Sequence, residues 1–301
     1  MFVSARREGS VSGDVVSYST FKFAPEVLDL FTTKHLQDRT PSHAGRFVAL
    51  NIVYSKWCIM SGNTQTQHQT YEKDERWSAV DDYALQHLHT SSAPYYDALK
   101  HAAHLQSSRG LPDIAVSALQ GRFLQMQCKL LGVKHALEVG TLGGYSTIWL
   151  AGANPDIKIT TVEINEKHAA VAREAFEYAR LSDRIEVIVG AGVDVLRRLK
   201  EEISLGKRPQ FDFCFLDADK PNNLNYLNYS IPMSRKGACI IVDNVVRKGN
   251  LANAELAATD ANVRGARAVV EAAGKDDRLN STLLQIVGEK NYDGFLICAV
   301  E

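Results

Sequence analysis

The chain has 301 residues, 45% hydrophobic and 23% charged, a globular composition with room for one large α/β domain or two small ones. Its 34 basic and 35 acidic residues leave a net charge of −1, so no global positive field exists to attract nucleic acid or an anionic membrane. Five scattered cysteines without a C-x-x-C pair speak against a zinc site or a disulfide framework, no apolar run is long enough to span a bilayer, and no secretory signal is recognisable, so a soluble cytoplasmic protein is expected.

Residues 1–75 lack sustained periodicity, and 61–75, "SGNTQTQHQTYEKDE", is polar and linker-like. The expected organisation is a poorly structured extension over 1–76 and one domain over 77–301. "WSAVDDYALQHL" places Val80, Tyr83, Ala84, His87 and Leu88 at helical spacing. "DIAVSALQGRFLQMQCKLLG" reads as a helix opened by Asp113 as its cap and closed by Gly132. Strands and helices then alternate. "HALEVG" is a strand, "YSTIWLAGA" a helix, "IKITTVEI" a strand, and "NEKHAAVAREAFEYARL" a helix capped by Asn165. "RIEVIVG" and "FDFCFLD" are strands on either side of the helix "GVDVLRRLKEEI". "NNLNYLNYSI" is helical, "ACIIVDN" a strand, and "NAELAATDANVRGARAVVEAA" one long helix. "STLLQIVG" and "GFLICAV" end the chain as two strands joined too tightly for a helical crossover, hence antiparallel. The fold class is α/β: a doubly wound, mainly parallel sheet covered on both faces.

Ligands of such sheets bind beyond the carboxyl ends of the strands. The first strand ends in a turn with Gly140, Gly143 and Gly144, spaced G-x-x-G-G and not as in the G-x-G-x-x-G dinucleotide fingerprint. Taken alone, it is as readily a plain tight turn as a ligand loop. The second strand ends at Glu163, 19 residues after Gly144, where a carboxylate can accept hydrogen bonds from ribose hydroxyls. The third ends in the small residues Gly190-Ala191-Gly192, the fourth in Asp217, Asp219 and Lys220, the fifth in Asp243-Asn244. Each has a bland version as a turn or a solvated charge. Their coincidence on one edge favours a nucleoside-plus-metal site, since two carboxylates and an amide oxygen are hard donors suited to Mg²⁺.

Together, "ALEVGTLGGYS", "FDFCFLDADK" and "CIIVDN" resemble the cation-dependent class I O-methyltransferases, which include the caffeoyl-CoA and catechol O-methyltransferases. The resemblance covers Trp77 to Glu301. It implies a seven-stranded sheet with an antiparallel last pair and S-adenosylmethionine as methyl donor. By position, it implies Val116, Glu138, Gly140, Thr141 and Ser146, with Gln120, around the methionine part of the donor. Glu163 would hold the ribose, Gly192 would lie by the adenine, and Asp219 would face the donor's amino-acid end. Asp217, Asp243 and Asn244 would bind the divalent cation, and Lys220, beside Asp217, would act as catalytic base. The implied acceptor is a small phenol or catechol, and homodimers are common in the family. Asn222-Asn223 and "DNVVRKGN" depart from the family pattern where the acceptor pocket forms. Arg247-Lys248 reads as a solvated basic pair, with an acidic acceptor as the other reading. The competing functions are an NAD(P)-dependent oxidoreductase, which leaves D-A-D-K and D-N unexplained, and a catalytically inactive methyltransferase fold acting as a binding subunit.

Overall fold

The computed structural model describes residues 74–91 and 93–301. The extension expected over 1–76 lies almost wholly outside the described residues. The first helix, α1 (Glu75–Leu88), starts inside the stretch read as linker, because the Asp74 carboxylate accepts from the Arg76 amide. Its apolar residues are not its buried ones. Val80, Tyr83 and Leu88 are exposed, whereas Asp81 is buried and accepts from the Glu289 amide at 2.8 Å.

Helix α2 (Tyr96–Ser108) was not anticipated, although Leu99, Ala102 and Leu105 are buried on one face. Helix α3 spans Ala118–Leu130 and is capped by Ser117, not Asp113. The Ser117 hydroxyl accepts from the Gln120 amide while the Gln120 carbonyl oxygen accepts from the Ser117 amide, a reciprocal pairing that outcompetes the earlier start. Residues 113–117 are therefore non-helical, and the Asp113 side chain instead accepts from Lys290 Nζ at 2.6 Å.

The alternating elements follow: β1 (His135–Val139), α4 (Tyr145–Ala151), β2 (Lys158–Glu163), α5 (Glu166–Tyr178), β3 (Ile185–Val189), α6 (Gly192–Ser204), β4 (Phe211–Leu216), α7 (Asn223–Met233) and β5 (Ser234–Val242). The long helix expected over 253–273 is two, α8 (Ala254–Thr259) and α9 (Ala261–Ala273). Extended Asp260 separates them, its carboxylate capping the amides of Asn262 and Val263. Strands β6 (Leu279–Val287) and β7 (Tyr292–Val300) pair antiparallel, as the tight connection implied.

The seven strands lie in the order β3-β2-β1-β4-β5-β7-β6, with the first five parallel and β7 inserted antiparallel beside β5. Order reverses between β1 and β4, so a crevice opens beyond their carboxyl ends. Alternation along β4 divides the core. Phe213 and Phe215 pack with Trp149 and Phe176 on one face, while Cys214 and Leu216 pack with Leu196 and Ile240 on the other. Cys128, Cys214, Cys239 and Cys298 are free thiols and all buried. Among the described residues no helix is long and apolar enough to cross a membrane.

Candidate functional site

The parallel register aligns the five strand ends, and a cavity of about 710 Å³ lies across them. Of the residues singled out from sequence, Val116, Gln120, Gly140, Thr141, Ser146, Glu163, Gly192, Asp217, Asp219, Lys220, Asp243 and Asn244 all line it.

One half is built from the β1 turn and the end of β2. Gly140 has φ +103°, and a Cβ there would come within 2.0 Å of the Asp217 carbonyl oxygen, so only glycine lets the ends of β1 and β4 approach this closely. Gly143 faces the side chain of Gln106, brought from the unanticipated α2. Glu163 is 7% exposed and already engaged: Oε2 accepts from the amides of Thr141 (3.2 Å) and Leu142 (2.8 Å), and Oε1 from the amide of Asn165 (2.9 Å). These bonds fix the carboxylate's orientation and leave it further lone pairs. His168 stands beside it, Nδ1 3.6 Å from Oε1. Gly192 backs onto the ring of Tyr226, whose hydroxyl donates to Asp219 Oδ1. Asn222 Nδ2 donates to Asp219 Oδ2 at 2.6 Å, so Asp219 is held from both sides.

Glu138 takes a different place. It is fully buried beneath the turn and is not part of the cavity wall. Its carboxylate accepts from Ser146 Oγ (2.7 Å), Thr147 Oγ1 (2.5 Å) and Thr161 Oγ1 (2.6 Å), while Thr141 Oγ1 lies 2.6 Å from Thr161 Oγ1. Burial pushes Glu138 up to about 7 against the pull of the three hydroxyls. It acts on the cavity by orienting Ser146 and Thr141.

The other half joins β4 to β5. The Asp243 amide donates to Leu216 O at 3.0 Å and the Asp217 amide to Val139 O at 2.8 Å, which sets the two carboxylates at adjoining strand ends. Lys220 is buried, and its Nζ donates to Asp217 Oδ1 at 2.7 Å. Asp243 is 3% exposed; burial first, and then the Asp217 charge, raise it well above the usual carboxylate range, with Lys220 opposing. Two carboxylates that repel each other in a shielded crevice, flanked by the Asn244 amide, are a donor set a divalent cation fits. Among the described residues no three His, Cys, Asp or Glu side chains are grouped to hold a metal, so the amide would be needed as third protein ligand.

Asn244, Arg247 and Lys248 all have left-handed backbones, with φ of 56°, 54° and 58°. Asp293 at the start of β7 holds this loop, its Oδ1 accepting from the amides of Val246 (3.1 Å), Arg247 (2.9 Å) and Gly294 (3.0 Å). Asp293 escaped the sequence reading; the D-G step of "NYDG" looks like an ordinary turn, and only the β5–β7 pairing brings it here. The Arg247-Lys248 pair divides. Lys248 is exposed, but Arg247 is half-buried and lines the cavity.

A family model for O-methyltransferases matches residues 89–299. An O-methyltransferase of Aspergillus flavus, imqG, is 46% identical over 247 residues, which are 80% of this chain and 100% of that protein. A catechol O-methyltransferase of Mycobacterium tuberculosis is 43% identical over 67% of this chain and 88% of its own. Among solved structures, an O-methyltransferase from Bacillus cereus in complex with SAH superposes with TM-score 0.70 at 40% identity, covering 75% of this chain and 99% of that one. TomG of Streptomyces achromogenes, in complex with SAM, gives TM-score 0.70 at 35% identity over 76% and 99%. These relatives do not favour the oxidoreductase reading, and the two solved structures share the fold over about three quarters of this chain. The chain belongs to the O-methyltransferase family and is an S-adenosylmethionine-dependent O-methyltransferase of the group that includes the catechol and caffeoyl-CoA enzymes.

Proposed function

We propose that the protein methylates a hydroxyl of a small phenolic or catecholic metabolite, held with the help of a divalent cation such as Mg²⁺, with Lys220 as base. The observation that carries this reading is the sharing of one cavity: Asp217, Lys220, Asp243 and Asn244 on one wall, Glu163 and the Gly140 turn on the other. A volume of about 710 Å³ is in the range of small-molecule sites.

Glu163 would accept the ribose hydroxyls of the donor, with Gly192 and Tyr226 beside the base and Asp219 and Ser146 toward the amino-acid end. Asp217, Asp243 and Asn244 would hold the cation. When bound, these groups supply an electrophilic methyl and a positive charge that lowers the pKa of a nearby hydroxyl. Ionising a free phenol of pKa about 10 at neutral pH costs roughly 4 kcal/mol, so the acceptor needs such help. The protein's part is proton management. Lys220 Nζ donates to Asp217 Oδ1 at 2.7 Å, so the proposed base stands beside a carboxylate that would help hold the cation. A positive charge held there would favour the neutral amine, and Lys220 would accept the hydroxyl proton. The Glu163 and Asp243 walls hold donor and acceptor in mutual reach, and the cavity's buried polar groups are fixed before reaction.

The test is methyl transfer from S-adenosylmethionine to a panel of catechols and phenols, with Mg²⁺ and with EDTA. Turnover lost in EDTA and restored by Mg²⁺ is the expected result. EDTA-insensitive turnover overturns the role given to Asp217, Asp243 and Asn244.

A further inference from the structure

We propose that Arg247 selects acceptors carrying a carboxylate on the ring that bears the hydroxyl to be methylated. The inference rests on the reading that the cation side of the cavity receives a diphenol, and it names the class of diphenol.

Arg247 comes three residues after Asn244 and lines the same cavity as Asp217 and Asp243. Its Nε is buried with no hydrogen-bond partner in the protein. A guanidinium keeps its charge at any physiological pH, and a buried donor left unpaired is costly unless a ligand satisfies it. The neighbouring groups do not. Asp293 feels the Arg247 charge, but it spends Oδ1 on three backbone amides, among them that of Arg247 itself, and makes no hydrogen bond to the guanidinium. The other basic side chains of the wall are occupied: Lys220 by Asp217 at 2.7 Å, Lys290 by Asp113 at 2.6 Å, and His168 beside Glu163 at 3.6 Å. Among the described residues lining the cavity, Arg247 is thus the cation without an ion pair.

The backbone fixes where this side chain starts. With φ at 54° and its amide tied to Asp293 at 2.9 Å, Arg247 is anchored at both its conformation and its register. The planar fork of guanidinium N–H groups matches a carboxylate, which can accept from two of them at once. An unsubstituted catechol offers nothing to this fork. A dihydroxybenzoate places its hydroxyls toward Asp217, Asp243 and Asn244 while its carboxylate faces the arginine.

Calorimetry tests this on the full chain loaded with S-adenosylhomocysteine and Mg²⁺, comparing 3,4-dihydroxybenzoate with catechol in the wild type, R247K and R247Q. The wild type is expected to prefer the carboxylated ligand by about tenfold or more. R247Q should bind the two alike and R247K should fall between, with S-adenosylhomocysteine affinity within about twofold of wild type in both variants, which also reports correct folding. Equal affinities in the wild type, or a preference that survives in R247Q, overturn the proposal. A weakened S-adenosylhomocysteine affinity in R247Q also overturns it, because the arginine would then serve the donor's carboxylate. Methyl transfer is measured on the same pairs. An intact binding preference with no transfer to either ligand refutes the diphenol as methyl acceptor and leaves Arg247 as an anion-recognising residue; failure of both ligands to bind refutes both readings.

Discussion

The two halves of the cavity solve the same problem, holding polar groups out of water, by opposite means. On the Glu163 side, backbone amides do the holding: the carboxylate accepts from three of them, and the turn that supplies two is shaped by glycines. On the Asp243 side, charges face charges. Asp217 and Asp243 repel, Lys220 partly compensates, and Arg247 stands unpaired. The first half is complete as it stands and suited to a ligand of constant shape. The second has a charge balance that would shift with what binds, as the proposed removal of a proton from the acceptor would require.

The largest effects should come from cutting each half separately. Asp217→Ala is expected to lower kcat by about a thousandfold or more while leaving S-adenosylhomocysteine affinity nearly intact, and Glu163→Ala to weaken that affinity by at least tenfold with Mg²⁺ dependence preserved. Kinetics and calorimetry on both variants read the crossing; if each change harms both properties equally, the halves are not separable. Gly140→Ala strikes the joint between them. Its Cβ would lie 2.0 Å from the Asp217 carbonyl oxygen at a φ of +103°, so a stability loss on the order of 3 kcal/mol is expected in denaturant unfolding, with donor and cation binding falling together. A Gly140→Ala variant as stable as wild type would refute the close approach.

The smallest effect concerns pH. Glu138 is pushed from 4.5 up to about 7 in the folded protein, so between those values the folded state binds more protons than the unfolded one. Stability therefore falls as pH rises from about 4.5 to about 7, by at most on the order of 3 kcal/mol from this group. Glu138→Gln, whose amide oxygen can still accept from Thr147 and Thr161, should flatten that slope. An unchanged slope in unfolding midpoints at pH 5 and 7 would place its origin elsewhere.

Legibility in the sequence followed the same division. Strand ends announce themselves where an apolar run stops at a charge, so Glu163, Asp217, Asp219, Lys220, Asp243 and Asn244 could be named, and the parallel register gathers them in one cavity. What sequence hid depends on antiparallel pairing and competition between local signals. Asp293 is 46 positions from Arg247 and reaches it only because β7 inserts beside β5. Ser117 displaces Asp113 as a cap because two reciprocal hydrogen bonds outweigh one acidic side chain near a plausible start. The break at Asp260 was hidden by continuous apolar spacing across it. The resemblance placed Glu138 around the donor, yet β1 is buried on both faces and the side chain lies in the interior.

The four cysteines of the described core bear on how long such a catalyst survives. Diphenols oxidise readily to quinones, and quinones arylate thiolates. Cys214 and Cys239 are both pushed up to about 12 by burial, and Cys128 and Cys298 are raised as well, so the reactive anion is scarce at every one of them. For an enzyme of the specificity proposed above, packing these sulfurs into the core protects them from poisoning by its own oxidised substrate.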